Sequence, residues 1–150
     1  MNRLQSGFRS FVKGYVELYG AKVLGPLFWP PVSVAVLAHG ENDDIVVLNA
    51  GKHYELPGGL VKAGEDIRET ARREMKEETG FDVEVGDLLD VRTGERYGNI
   101  EFFFEARVTG GDKSGNWEGE PEFIPEDEMK DRVWKLQHSH VHEYLFPDEN

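Results

Sequence analysis

The chain has no cysteine. A disulfide scaffold and a thiolate metal site are therefore both excluded, and the composition fits a reducing, cytoplasmic interior. A long apolar run is missing too. The most apolar stretch, Val23 to Ala38, is interrupted by Pro26, Pro30 and Pro31 and is too short to span a bilayer. Polar residues interrupt the region before it, which argues against a signal peptide. Basic residues are scarce: 17 Lys and Arg face 29 Asp and Glu, a net charge of −12. Binding to DNA or RNA duplexes needs a basic surface and is not expected. At 39% hydrophobic and 31% charged residues, the chain reads as a globular domain with a single core.

The few basic residues are unevenly placed. Residues 1–30 carry Arg3, Arg9, Lys13 and Lys22 against Glu17 alone. Phe8, Phe11, Val12, Tyr15, Tyr19 and Val23 recur near helical spacing, although Gly7, Gly14 and Gly20 weaken the helix. This predicts an N-terminal amphipathic helical extension over 1–30, packing on the main domain over 31–150 or on a second copy as a homodimer. A basic membrane-surface anchor is the less favoured reading, with so few cations.

The most informative stretch is Gly59 to Phe81. Gly80 is placed to stop a helix in the left-handed conformation. Glu65 and Asp66 follow Gly64 and suit the positive end of a helix dipole. A helix is predicted over Asp66 to Thr79. Ile67, Ala71 and Met75 mark its inward stripe, with Glu74 and Glu78 on the same side and Glu77 and Thr70 at the margin. Arg68, Glu69, Arg72 and Lys76 are assigned to the outer face. A run of charge is ordinarily a solvated helix face. That does not account for carboxylates turned toward the core, which repel one another unless a cation holds them ionised. Oxygen ligands favour Mg2+ or Mn2+. Upstream, Leu56-Pro57-Gly58-Gly59 ends a short strand with glycines that let backbone approach a ligand.

Gly59, Glu65, Arg73, Glu74, Glu77, Glu78 and Gly80, with apolar Met75 and Phe81, match G-x5-E-x7-R-E-U-x-E-E-x-G-U, where U is apolar. The stretch resembles the Nudix box, and the similarity to Nudix hydrolases runs from about Val32 to the C-terminus. The resemblance implies an α/β/α sandwich with a mixed β-sheet. It implies hydrolysis of a nucleoside diphosphate linked to another moiety, with Mg2+ as cofactor and Mn2+ as a substitute. Glu74, Glu77, Glu78 and the Gly58 carbonyl would hold metal. Arg73, acting through Glu65, would orient the carboxylates. Tyr54, Gly59 and Tyr97 would line the substrate. A further carboxylate is expected from a later loop; Glu118, Glu120 and Glu122 are the candidates, and Glu118 fits the family pattern best. Glu77 is the favoured base, with Glu118 the alternative. A catalytically silent nucleotide-binding or sensor module is the rival reading, and such a module is expected to lack box carboxylates that this chain keeps.

Elsewhere, Ser33 to Ala38 reads as a buried strand and Ile45 to Leu48 as its hairpin partner. Val83 to Val85 and Leu88 to Val91 are strand-like. Asn99 to Val108 is the longest strand, with Phe102, Phe103 and Phe104 pointing to burial on both faces. Thr109 to Asn116 reads as a Gly-rich loop and Glu122 to Ile124 as a short strand. A last helix is predicted through Val133, Leu136, His140, Val141, Tyr144 and Leu145. His138, His140 and His142 suggest a metal cluster, but on a helix only His138 and His142 share a face. Trp117 could stack on a nucleobase.

Overall fold

A computed structural model describes residues 30–93, 98–132 and 140–145. The N-terminal extension, Tyr97, Val133, Leu136 and His138 lie outside the described residues. Among the described residues seven strands form one sheet: β1 (Val32–His39), β2 (Ile45–Asn49), β3 (Tyr54–Glu55), β4 (Gly58–Leu60), β5 (Phe81–Thr93), β6 (Ile100–Gly111) and β7 (Glu120–Ile124). Among the described residues three helices accompany them: α1 (Ile67–Thr79), α2 (Glu126–Arg132) and α3 (His140–Leu145). The main strand order is β3-β2-β1-β6-β5, with β4 added to β1 and β7 to β2. The β1–β6 pair is parallel and the others are antiparallel, so the sheet is mixed.

Alternation along the central strands splits the core in two. Val34, Val36 and Ala38 of β1 and Phe104 and Ala106 of β6 meet Ala71 and Met75 of α1. Ala35 and Leu37 of β1 and Phe103 of β6 face the other way, toward Met129 of α2 and Val141 of α3. Helices thus cover both faces, as the sandwich expectation requires. Phe103 and Phe104 are each 1% exposed, one on either face, which explains why apolar residues run consecutively there.

Helix α1 is specified at both ends. The Asp66 carboxylate caps it, accepting from the Arg68 N–H at 2.8 Å and the Glu69 N–H at 3.3 Å. Gly80 closes it at φ 78°, its N–H donating to the Lys76 carbonyl at 3.1 Å. A side chain at Gly80 would also collide with the Asp112 carbonyl, so the helix end and the loop after β6 pack backbone to backbone.

Four local readings change. Residues 83–91 form one long strand, because β5 absorbs the irregularity at Gly86 as register shifts against β6 and keeps pairing. Strand β6 runs on to Gly111, since Gly110 and Gly111 pair with Asp82 and Phe81; the loop begins later. Chain direction after β7 is taken first by α2, ahead of the expected last helix, of which α3 is the described part. Arg68, assigned to the outer face, instead folds inward. Its guanidinium lies 5.0 Å from the Phe104 ring centre and donates to the Gly86 carbonyl at 2.5 Å. Its long stem lets the charged end leave the helix face that its Cα predicts.

Candidate active site

The glycine pair of β4 lies against α1. Gly58 and Gly59 pair with Ala35 and Val34 of β1, which places β4 beside the sheet's centre. The Gly58 N–H donates to Oε2 of Glu78 at 2.9 Å. A Cβ on Gly59 would come within 2.6 Å of the Glu74 carboxyl, so any larger residue here would push that carboxyl from its place. Gly58 is the more firmly confined, because a Cβ there would lie 2.2 Å from the Val34 carbonyl oxygen, which is backbone and cannot swing aside.

Glu78 is only 4% exposed, on the inward stripe that periodicity assigned to it. Burial pushes its carboxyl up to about 11, reinforced by a hydrogen bond and charge repulsion from Glu118 and opposed by the Gly58 N–H. Glu74 is raised as well, first by burial, against the pull of Arg73. Glu77 sits at the margin with its side chain 53% exposed. Glu118 comes from 40 residues beyond Glu78 and still reaches it.

Arg73 ties the set together. Its Nε donates to Glu65 at 2.7 Å and its other nitrogens to Glu74 at 2.5 Å, Glu77 at 3.3 Å and the Leu60 carbonyl at 3.2 Å. A planar guanidinium with five donors can serve this many acceptors at fixed angles. Glu65 is held down to about 2, chiefly by Arg73, with help from the Thr70 hydroxyl and the Lys62 N–H. Arg73 is correspondingly raised by Glu65 and Glu74.

Other expected residues fall elsewhere. Tyr54 packs with the core on the face away from α1, and its hydroxyl accepts from Arg132 at 3.3 Å. Glu120 lies at the exposed start of β7, and Glu122 accepts from Asn49 at 2.7 Å, which leaves Glu118 as the loop carboxylate facing Glu78. Three contributors escape sequence reasoning. Thr70 supports Glu65 at 2.8 Å, Asn116 holds the Glu118 N–H at 2.8 Å, and a Cβ at Gly119 would lie 2.8 Å from the Asn49 carbonyl. Thr70, four residues after Asp66, was legible as a first-turn hydroxyl; the other two carry no sequence signal of their role.

Among the described residues, no three acidic or imidazole groups stand already gathered as a cation cage. Arg73 occupies Glu74, and the Glu78 carboxyl lies against that of Glu118. The donor chemistry nevertheless fits a hard divalent cation. All available ligands are oxygens, and a buried carboxyl pressed against a second one is what such a cation would relieve. The fold thus sets a glycine-backed, arginine-braced acidic helix against one face of a mixed sheet.

Comparison with known proteins agrees. The NUDIX domain family model matches residues 29–147, and the chain belongs to that family. An ADP-ribose pyrophosphatase of Methanocaldococcus jannaschii is 36% identical over 103 residues, covering 61% of each chain. A human 8-oxo-dGDP phosphatase is 36% identical over 77 residues, 47% of this chain and 23% of the relative. Across four of the curated relatives, the matched stretch spans between 14% and 61% of the relative's own length. The crystal structure of a NUDIX hydrolase from Nitrosomonas europaea shares the fold, with a TM-score of 0.69 at 20% identity over 79% of this chain and 72% of the other.

Proposed function

We propose that this chain is a divalent-cation-dependent nucleotide pyrophosphohydrolase, with Mg2+ as the cofactor and Mn2+ able to replace it. Its substrate is a nucleoside diphosphate linked to a second moiety, in line with relatives named for ADP-ribose and 8-oxo-dGDP. The observation that carries the reading is the buried Glu78 carboxyl, in contact with Glu118 and set over the Gly58 N–H.

Glu74, Glu77, Glu78 and Glu118, with the Gly58 carbonyl, are the oxygen donors that would hold the cation. When bound, such an ion neutralises phosphate oxygens and acidifies water. The chain's own groups do the rest. Arg73 fixes the rotamers of Glu74 and Glu77 through its fork, and Glu65 fixes Arg73. Glu77 reaches outward and is the favoured acceptor of the proton lost by the attacking water. Gly58 and Gly59 keep the floor of the site free of side chains, so a diphosphate can lie close to backbone. Catalysis then consists mainly of positioning and charge stabilisation.

The test is a panel of ADP-ribose, nucleoside triphosphates, dinucleoside tetraphosphates and NADH, each with and without Mg2+, scored by monophosphate release. Cation-dependent turnover of at least one is expected. Binding with no turnover across the panel would instead identify a silent nucleotide-binding module. Glu77→Gln should lower turnover at least about a hundredfold without unfolding the chain.

A further inference from the structure

The loop between β6 and β7 delivers Glu118 to the box, and the residue before it is the most exposed large apolar side chain among the described residues. Trp117 is 77% exposed. Indole is large and amphipathic, and its wide apolar face gains when a partner covers it. Here it stands next in sequence to a carboxylate that hydrogen-bonds Glu78. A ring resting on it would therefore be within a nucleotide's length of the site where the diphosphate lies.

The loop is also anchored. On one side the Ser114 N–H donates to the Thr79 carbonyl of α1 at 2.8 Å. On the other, the Asn116 N–H donates to the Gly119 carbonyl at 3.2 Å, and Gly119 lies tight against the backbone of Asn49 at the end of β2. Within this frame the Asn116 side chain accepts the Glu118 N–H at 2.8 Å. The same turn that sends the Glu118 carboxylate inward leaves the Trp117 ring outward on a braced backbone. A loop already braced needs little ordering when a base stacks on it, so more of the contact energy appears as affinity.

We infer that Trp117 is the platform on which the substrate's nucleobase stacks. This rests on the pyrophosphohydrolase reading and deepens it by saying which part of the substrate the β6–β7 loop recognises. Stacking on a flat face tolerates any base. The platform therefore selects nucleosides over ring-free diphosphates and discriminates weakly among the bases.

Binding of two non-hydrolysable probes with Mg2+ decides the matter: α,β-methylene adenosine diphosphate, which has a base, and methylenediphosphonate, which has none. Calorimetry would be run on the wild type, Trp117→Ala and Trp117→Phe. Loss of one stacked base corresponds to roughly 5- to 150-fold in affinity. Trp117→Ala should weaken the adenosine probe by about tenfold or more, Trp117→Phe by threefold at most, and neither should move methylenediphosphonate beyond about twofold. The inference is overturned if Trp117→Ala binds the adenosine probe like the wild type, if both probes weaken together, or if the wild type does not bind the adenosine probe. Turnover separates the two readings. Trp117-dependent binding without hydrolysis of any substrate keeps the platform and removes the hydrolase. Hydrolysis with Trp117-independent binding does the reverse.

Discussion

Glu78→Gln should stabilise the metal-free protein at alkaline pH while disabling it. Burial and Glu118 raise the Glu78 carboxyl from 4.5 to about 11 in the fold. A carboxyl raised on folding takes up a proton on folding. Its stabilising share is complete below 4.5 and is lost steadily as the pH climbs toward 11. The loss is limited to about 1.4 kcal/mol per pH unit for one proton, or about 3 kcal/mol between roughly pH 6 and 8. Glutamine imitates the protonated acid: its carbonyl can accept from the Gly58 N–H and its amide can donate to Glu118. The difference in unfolding free energy between Glu78→Gln and the wild type, measured by urea titration in EDTA, should therefore grow with pH. We expect it near zero at about pH 5 and at least about 1 kcal/mol in favour of the variant at about pH 8. Saturating Mg2+ should raise the wild type alone, since an ion binding only the folded form adds stability by mass action. Turnover should fall at least about a hundredfold in the same variant. Parallel pH curves for the two proteins would falsify the claim that Glu78 is a strained buried acid awaiting a cation.

Other expectations concern the parts around it. Gly59→Ala brings a methyl carbon within 2.6 Å of the Glu74 carboxyl; kcat should drop about tenfold or more while the circular dichroism spectrum is unchanged. Glu65, held near 2, adds stability above its ordinary 4.5 that disappears as the pH falls toward 2. Acid unfolding of Glu65→Gln should accordingly be shallower in that window than that of the wild type, and equal slopes would remove Arg73 from its assigned position. Met75, fully buried between α1 and the sheet, should cost about 2–5 kcal/mol when changed to Ala, read as a shift in urea midpoint with unaltered slope.

Helix α1 is the clearest case of local determination. Its cap, its stop, its apolar stripe and its spaced carboxylates are all set within one stretch of chain, because capping and helical periodicity involve neighbours a few residues apart. The pairing of β1 with β2 was legible for the same reason, being a hairpin closed by a short turn. Other features depend on segments far apart in sequence and were decided only when those segments packed. Glu118 meets Glu78 because β7 pairs with β2 and pins Gly119 beside Asn49. Tyr54 faces away from α1 because side chains alternate across a strand, and nothing local says which face the helix will take. Arg68 turns inward to the Phe104 ring and the Gly86 carbonyl, which belong to strands later in the chain. Sequence alone thus set which carboxylates share a helix and which face is apolar. Tertiary packing decided which of them are buried, and hence how strongly they resist ionisation, since desolvation depends on everything that surrounds a group and not on its neighbours in the chain.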